Sequence, residues 1–382
     1  MVKSTMVKSA FIYSEIFSHY DFGPLHPFKT SRAQIVYELC HRYHLLERPW
    51  IEIRKPVPLS FDKLSTFHES EYLSVLQAAS SKAFAFEMLG CGLGTEENPI
   101  IEGLYDLISL SAGATYLGTE LLTEEGFTMA FNIFGGFHHA GRSHAEGFCY
   151  INDPGIALSL LLEKGLKVAY LDLDAHHGNG IQDAFYCDNR VLKISLHESG
   201  KTLYPWSGYE TEIGEGAGKG FNVNIPLPQG TDDETYLDAF SEIVPPLMEA
   251  FAPDITIGVF GADTHHTDPL SHLNMSNHSL CRAVNTIVEL SQKVLALGGG
   301  GYNVYTAART WSLLWAVMNK IEPEDVYLGA VGGMMYGPET ESGSLEEDAP
   351  IITSGEIKES THKEVARVVD SIKGSVFPLV GI

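Results

Sequence analysis

An apolar run from Lys167 to Leu173 carries Asp172 near its end and continues into Asp174 and His176. A run of this length reads as a buried strand. Extended backbone sends alternate side chains to one face. The spacing of two therefore predicts two carboxylates and an imidazole sharing a face at the strand terminus. Such a cluster is costly to bury without compensating positive charge. Two hard oxygen donors and one nitrogen suit Zn²⁺ or another first-row divalent ion, Fe²⁺ included. A solvated strand-to-loop turn could carry the same residues, so the surrounding sequence has to decide.

Three further segments end in the same manner. Phe127 to Phe134 stops at Gly135-Gly136-Phe137-His138-His139. Ile255 to Phe260 stops at Gly261-Ala262-Asp263, and Lys293 to Leu297 stops at Gly298-Gly299-Gly300-Gly301-Tyr302-Asn303. Open α/β sheets bind ligands beyond the carboxyl ends of their strands. Four separate segments thus offer chemistry at one predicted edge. Taken singly, a His-His pair is an ordinary loop feature, an Asp after a strand an ordinary cap, and a Tyr ordinary packing.

Helical patterns interleave with these runs at 30–46 (Ser31 as cap), 103–122, 153–164 (Pro154 in the first turn), 235–251 and 276–291 (capped by Ser276 or Asn277). Alternation of this kind predicts a mostly parallel sheet covered on both faces, in one domain over 1–382. Residues 208–220 read as a surface loop, and the acidic stretch 339–349 as an exposed one. At 382 residues and 44% hydrophobic the chain can bury a large core. No apolar stretch reaches the ~18–20 residues of a membrane span, and the N-terminus lacks a secretory apolar region. Five scattered cysteines without a CxxC suggest reduced thiols and a cytoplasmic setting. A net charge of −24 argues against direct nucleic-acid binding and favours cationic substrates, although solubility alone would also account for it. Oligomeric state is not legible.

The motifs His26-Pro27-Phe28-Lys29-Thr30-Ser31-Arg32, Gly135 to Ala140, Gly147-Phe148-Cys149-Tyr150-Ile151-Asn152-Asp153, Asp172 to Gly180, Gly261-Ala262-Asp263-Thr264 and Gly298 to Asn303 occur in that order over about residues 10–320. This ordered set resembles the histone deacetylase superfamily, in the branch of class I enzymes and bacterial acetoin-utilisation deacetylases. The resemblance implies a single arginase-like α/β domain with a central eight-stranded parallel sheet. It implies Zn²⁺ held by Asp174, His176 and Asp263 with an open position. It makes His139 the general base and then acid, His138 its electrostatic partner, and Tyr302 the donor to the developing oxyanion. Asp172 would orient His138 and Asn179 would orient His139. Gly147, Phe148, Tyr204 and Leu270 would wall a tunnel for the acyl-lysine stem, and Arg32 would line an internal cavity. Structural K⁺ would be held by Asp172, Asp174, His176, Ser195 and Leu196, and a second K⁺ by groups around Phe185, Asp188, Val191 and Phe221, mostly carbonyls.

The pattern departs from the family at Asn179, where class I members carry Asp and class II members Asn. The substrate-gripping rim position, usually Asp, falls on Glu97, with Glu96 a neighbouring candidate. Phe137 stands where relatives have Trp or Leu. His265 and His266 are read as rim or loop residues because the metal set is already complete. The expected activity is removal of acetyl, or longer acyl, groups from protein lysines. An acetylpolyamine amidohydrolase is the close rival, and a non-catalytic acyl-lysine binder is the rival of another class. An arginase-like ureohydrolase would need more carboxylates for a two-metal cluster.

Overall fold

A computed structural model describes residues 8–80, 86–323, 344–347 and 349–382. Its strands are β1 (Ser9–Ile12), β2 (Ile51–Arg54), β3 (Met129–Asn132), β4 (Val168–Asp172), β5 (Val191–Glu198), β6 (Asn222–Leu227), β7 (Ile255–Val259) and β8 (Val294–Leu297). They form one eight-stranded sheet in the order β2-β1-β3-β8-β7-β4-β5-β6. Every pairing is parallel. Every residue of β3 to β8 is buried. Since side chains alternate across a strand, both faces of the sheet are covered there. This is why β4, β7 and β8 read as near-continuous apolar runs rather than alternating ones.

Helix Leu104–Glu124 packs on β1, β3 and β8, helix Asp233–Phe251 on β5, and helix Gly355–Ser375 on β6. Local chemistry sets their starts. The Asn152 side chain accepts from Gly155 N at 2.8 Å and Pro154 occupies the first turn of helix Asp153–Glu163. Ser276, of the two candidates, caps helix Asn277–Leu290. Asp232 caps Asp233–Phe251, two residues before the expected start at Thr235. The first expected helix shrinks to Arg32–Arg42, and Ser31 makes no capping bond through its side chain. His44 adopts φ 52°, and Leu45 N bonds back to Cys40 O at 2.8 Å, so the chain leaves the helix before Leu46. Trp311, on helix Val304–Met318, donates its indole N–H to Phe260 O at 2.8 Å and anchors the exit of β7.

Part of 339–349 lies outside the described residues. In the part that is described, the exposed-loop expectation holds only in part: Glu346 and Ala349 are exposed, but Leu345 is buried and Glu347 hydrogen-bonds to His265 and Asn277. The loop 208–220 is irregular as expected but not wholly at the surface, since Gly208, Gly214, Gly218 and Gly220 are buried. Among the described residues no helix is long and apolar enough to cross a membrane.

Candidate active site

The carboxyl ends of β3, β8, β7 and β4, four neighbours in the sheet, bring the motif residues together. β4 ends at Asp172, so Asp174 and His176 stand in the following loop rather than on one strand face. Strand alternation does not align them, contrary to the sequence expectation; hydrogen bonds do. Asp174 Oδ1 accepts from His176 N at 2.9 Å, and Asp263 Oδ1 accepts from Ala175 N at 2.9 Å. Gly300 N donates to Asp174 Oδ2 at 2.6 Å. His176 Nδ1 then lies 3.2 Å from Asp174 Oδ1 and 2.9 Å from Asp263 Oδ2. One potential ligand atom from each residue lies within 4.8 Å of the others, and all three residues are buried. A Cβ on Gly300 would come 2.0 Å from Asp263 Oδ2, so the glycine run lets backbone close over the site.

The electrostatics show a demand for positive charge. Burial, then the Asp174 charge, pushes the Asp263 carboxyl up to about 7. Burial opposes a charged His176, yet hydrogen bonds to Asp174 and Asp263 lift it to about 10.

Asp153 and Asn152 hold the His138-His139 loop. Gly136 N and Phe137 N donate to Asp153 Oδ1 at 3.1 and 2.8 Å, and Asn152 Nδ2 donates to His138 O and Ala140 O at 3.1 and 2.9 Å. His138 Nδ1 lies 2.8 Å from Asp172 Oδ2, which also accepts from the Tyr170 hydroxyl at 2.6 Å. The ring nitrogens His138 Nε2 and His139 Nε2 are 3.1 Å apart. His139 Nδ1 sits 2.8 Å from Asn179 Oδ1, and Asn179 Nδ2 donates to Glu146 Oε2 at 3.2 Å. Glu146 in turn meets His144 Nε2 at 3.3 Å. The two imidazoles diverge. Burial opposes charge on His138, but Asp172 and Asp174 raise it to about 9. Burial, then His138 and His176, drives His139 well below its ordinary value. Burial and the neighbouring charges thus shift the two imidazoles in opposite directions.

Tyr302 follows β8. Its backbone N donates to Asp268 Oδ2 at 2.7 Å, and Leu270 N donates to Asp268 Oδ1 at 2.9 Å. One buried carboxylate thus ties the Tyr302 loop to the Leu270 loop. The Tyr302 ring lies 5.7 Å from Phe148 and 6.3 Å from His176, centroid to centroid. Tyr204 packs edge-on to His139 at 5.2 Å. A Cβ on Gly147, which has φ 57°, would meet His139 Cδ2 at 2.3 Å, so only glycine fits. Phe148 also holds a left-handed backbone, at φ 65°, a strained conformation for a non-glycine residue beside a site. Leu270 is half-buried.

Glu97 turns inward: its Oε1 accepts from Gly147 N at 2.8 Å, while Glu96 is exposed. Arg32 is buried, with Nη1 3.1 Å from Gly301 O and its guanidinium over Phe28 and Trp311. His265 and His266 form a second potential ligand group with Glu347. Both His265 nitrogens are already engaged, by Glu347 and Thr267 at 2.9 Å each, which agrees with a loop role. Ser195 pairs with Asp172 across β4 and β5, and the Ser195 hydroxyl lies 2.7 Å from His197 Nδ1. Around Phe185, Asp188 and Val191 the carbonyls face the Lys193 ammonium.

Sequence reasoning missed Tyr170, Glu146 and Asp268. Asp268 precedes Pro269 and reads as a turn residue; nothing in its spacing marks a carboxylate that binds two loops. Glu146 stands one residue before the Gly147–Asp153 motif, and its partner Asn179 is 33 positions away.

Comparison with known proteins agrees with this geometry. Residues 26–318 match the histone deacetylase domain. The chain is 34% identical over 326 residues to the acetoin utilization protein AcuC of Bacillus subtilis, covering 83% of this chain and 84% of that protein. It is 33% identical over 315 residues to the histone deacetylase RPD3 of Saccharomyces cerevisiae, covering 82% and 72%. The crystal structure of an HDAC homolog from Aquifex aeolicus superposes with a TM-score of 0.86 at 31% identity, over 96% of this chain and 100% of that one. A structure of an HDAC homolog complexed with SAHA gives 0.85 at 31% identity, over 96% and 99%. The order of motifs, the eight-stranded parallel sheet and the residues gathered at its carboxyl edge agree with these matches, and the chain belongs to the histone deacetylase family.

Proposed function

We propose that this chain hydrolyses the side-chain amide of acetyl-lysine in proteins, using one Zn²⁺ held by Asp174, His176 and Asp263. The observation that carries this reading is the convergence of those three side chains with His139 and Tyr302 at one sheet edge. The donor set fits the ion. Two buried carboxylates and one imidazole leave a net negative site, and three protein ligands leave room for water and substrate. When bound, the metal would polarise the amide carbonyl and acidify the attacking water. Fe²⁺ suits the same donors.

The chain's own residues do the rest. With Nδ1–H donated to Asn179 Oδ1, His139 keeps its lone pair on Nε2, 3.1 Å from His138 Nε2, and takes the proton of the attacking water once the water displaces that contact. Glu146 accepts from Asn179 Nδ2 and so fixes which end of the amide faces His139. His138, held charged by Asp172, adds positive potential beside the reacting carbonyl. The Tyr302 hydroxyl donates to the carbonyl oxygen as charge develops there. His139 then returns its proton to the leaving lysine amine. Phe148 and Tyr204 would flank the aliphatic stem and exclude water. Glu97 belongs to the tunnel entrance through its bond to Gly147, and Arg32 would line the inner end. A structural K⁺ at Asp172, Asp174, His176, Ser195 and Leu196 would brace the β4–β5 edge.

One observation favours a second reading, an acetylated polyamine as substrate. Glu97 and Glu146 flank Gly147, and the whole chain carries −24 charges, so a cationic stem is attracted to this mouth. The same charge speaks against a nucleic-acid partner, and the free cysteines suit a reducing, cytoplasmic setting. The test is a turnover panel on the Zn²⁺-loaded protein with acetyl-lysine peptides, longer acyl-lysines and acetylated polyamines. Fastest hydrolysis of acetyl-lysine peptides supports the first reading, and fastest hydrolysis of polyamines the second. A metal-bound protein that binds acetyl-lysine without hydrolysing any member would overturn both.

A further inference from the structure

Lys193 is an anomaly by its position. It lies in β5, a strand in which every residue is buried, and is itself 4% exposed. A lysine so placed needs a reason, because burial penalises its charge. Its Nζ donates to the carbonyl oxygens of Phe185 at 2.8 Å, Val191 at 3.1 Å and Asp188 at 3.4 Å. An ammonium has three N–H donors, and three carbonyls meet it here. The Phe221 carbonyl belongs to the same neighbourhood through the backbone, accepting from Lys193 N at 2.9 Å with one of its two lone pairs. The Asp188 carboxylate turns away to Arg190, at 3.0 and 2.6 Å, so Asp188 contributes its backbone.

These are the four residues around which the family resemblance implies a second potassium ion. Converging carbonyls make a cage for a monovalent cation, and in this chain the cage already contains one. We infer that the Lys193 ammonium is a covalently tethered substitute for that cation, so that this position binds no potassium. Burial pulls the ammonium down to about 7 while the Asp188 charge opposes the loss, and the carbonyl cage likewise favours the charged form. A purely space-filling role fits less well. An apolar side chain would leave the Phe185, Val191 and Asp188 carbonyls without this donor. The device also has a route to the active site. The cage clamps the loop that leaves helix Asn179–Phe185, and the first residue of that helix holds His139.

The test compares the full-length wild type with Lys193→Ala and Lys193→Met. Melting temperatures are measured in choline chloride, KCl and NH₄Cl at equal ionic strength. Lys193→Ala should lose on the order of 5 °C in choline chloride and regain most of it, saturably, in KCl or NH₄Cl. Lys193→Met fills the space without charge and should stay low in all three salts. The wild type should show only the smaller potassium response of the Asp172 position. Wild-type stability of Lys193→Ala in choline chloride, or a potassium increment no larger than that of Lys193→Met, would overturn the assignment. Should Lys193→Ala fail to fold, crystals of the wild type soaked in Tl⁺ decide the matter. No anomalous peak among the four carbonyls supports the tethered ammonium, and a peak there refutes it.

Discussion

Two buried clusters in this molecule call for positive charge, and they answer it differently. Around Lys193, backbone carbonyls of Phe185, Asp188 and Val191 receive an ammonium built into the chain. Around His176, the carboxylates of Asp174 and Asp263 meet only an imidazole that they force towards protonation. The first cluster is closed, since the donors and acceptors at hand match. The second sets two carboxylates against one imidazole, and backbone bonds from Ala175, His176 and Gly300 fix the carboxylates in place. A tethered cation can brace a fold, but it cannot also bind water and a substrate carbonyl. Chemistry requires an exchangeable ion with open coordination, and of the two clusters the second has the donor set for one.

This contrast is best broken at the groups that face the open cluster without holding it. His139→Ala should lower kcat by about 10²–10⁴-fold and leave metal content unchanged. A parallel loss of metal would make His139 a structural part of the cluster instead. Tyr302→Phe should lower kcat about 10²–10³-fold with the same metal content, because only the hydroxyl is removed. Near-normal kcat in Tyr302→Phe would take it out of the mechanism and leave the Asp268 tie as its whole function.

The next prediction concerns where negative charge stands behind His139. Here the carboxylate is one residue removed, on Glu146 rather than at position 179. Asn179→Asp alone sets two carboxylates against each other and should lower kcat roughly tenfold, the scale of one pKa unit of mismatch. Combined with Glu146→Gln it should recover, since the amide and the acid have exchanged places. A carboxylate directly on His139 favours its imidazolium and raises its pKa. The acidic limb of kcat/KM should therefore move to higher pH in the double variant. An unchanged limb and additive single effects would show that Glu146 does not act through Asn179.

The smallest effect belongs to a second closed cluster. Asp232 is buried and accepts from Thr235 N, Thr353 N and the Lys358 ammonium at 2.9, 2.8 and 3.0 Å. Burial would raise its carboxyl, but these bonds hold it well below the usual carboxylate range. A depressed pKa gives stability that is present above the unfolded value near ~3.9 and is lost as pH falls. Lys358→Met should cost about 1 kcal/mol at neutral pH in a denaturant titration, with kcat unchanged. The cost should persist through about pH 4 and shrink only at lower pH, as the carboxylate of the folded protein itself begins to protonate. A cost that persists undiminished there would assign it to packing.

Much of the open cluster could be read from the sequence. Buried parallel strands appear as short apolar runs, and glycines with reactive residues at their ends mark the binding edge. That signal placed His138, His139, Asp174, His176, Asp263 and Tyr302 in one neighbourhood. Strand alternation does not explain the placing of Asp174 and His176, which leave the strand and are turned by backbone donors. The closed clusters were far less legible. β5 was passed over because Lys193 and His197 interrupt its apolar pattern, and the carbonyls that satisfy Lys193 carry no side-chain signature. Asp268 and Glu146 act across loops that pair only in three dimensions. β1 and β2 are four residues each, too short for periodicity to separate them from loop.

The most direct test of the account is metal reconstitution. The wild type is stripped with a chelator, Zn²⁺ is titrated back, and bound metal and hydrolysis of an acetyl-lysine peptide are followed together, with Asp263→Ala alongside. One equivalent of Zn²⁺ should restore turnover to the wild type, while Asp263→Ala should neither retain the metal nor recover activity. Full turnover by the stripped protein, or undiminished Zn²⁺ binding by Asp263→Ala, would contradict the assignment of Asp174, His176 and Asp263 as the catalytic metal site.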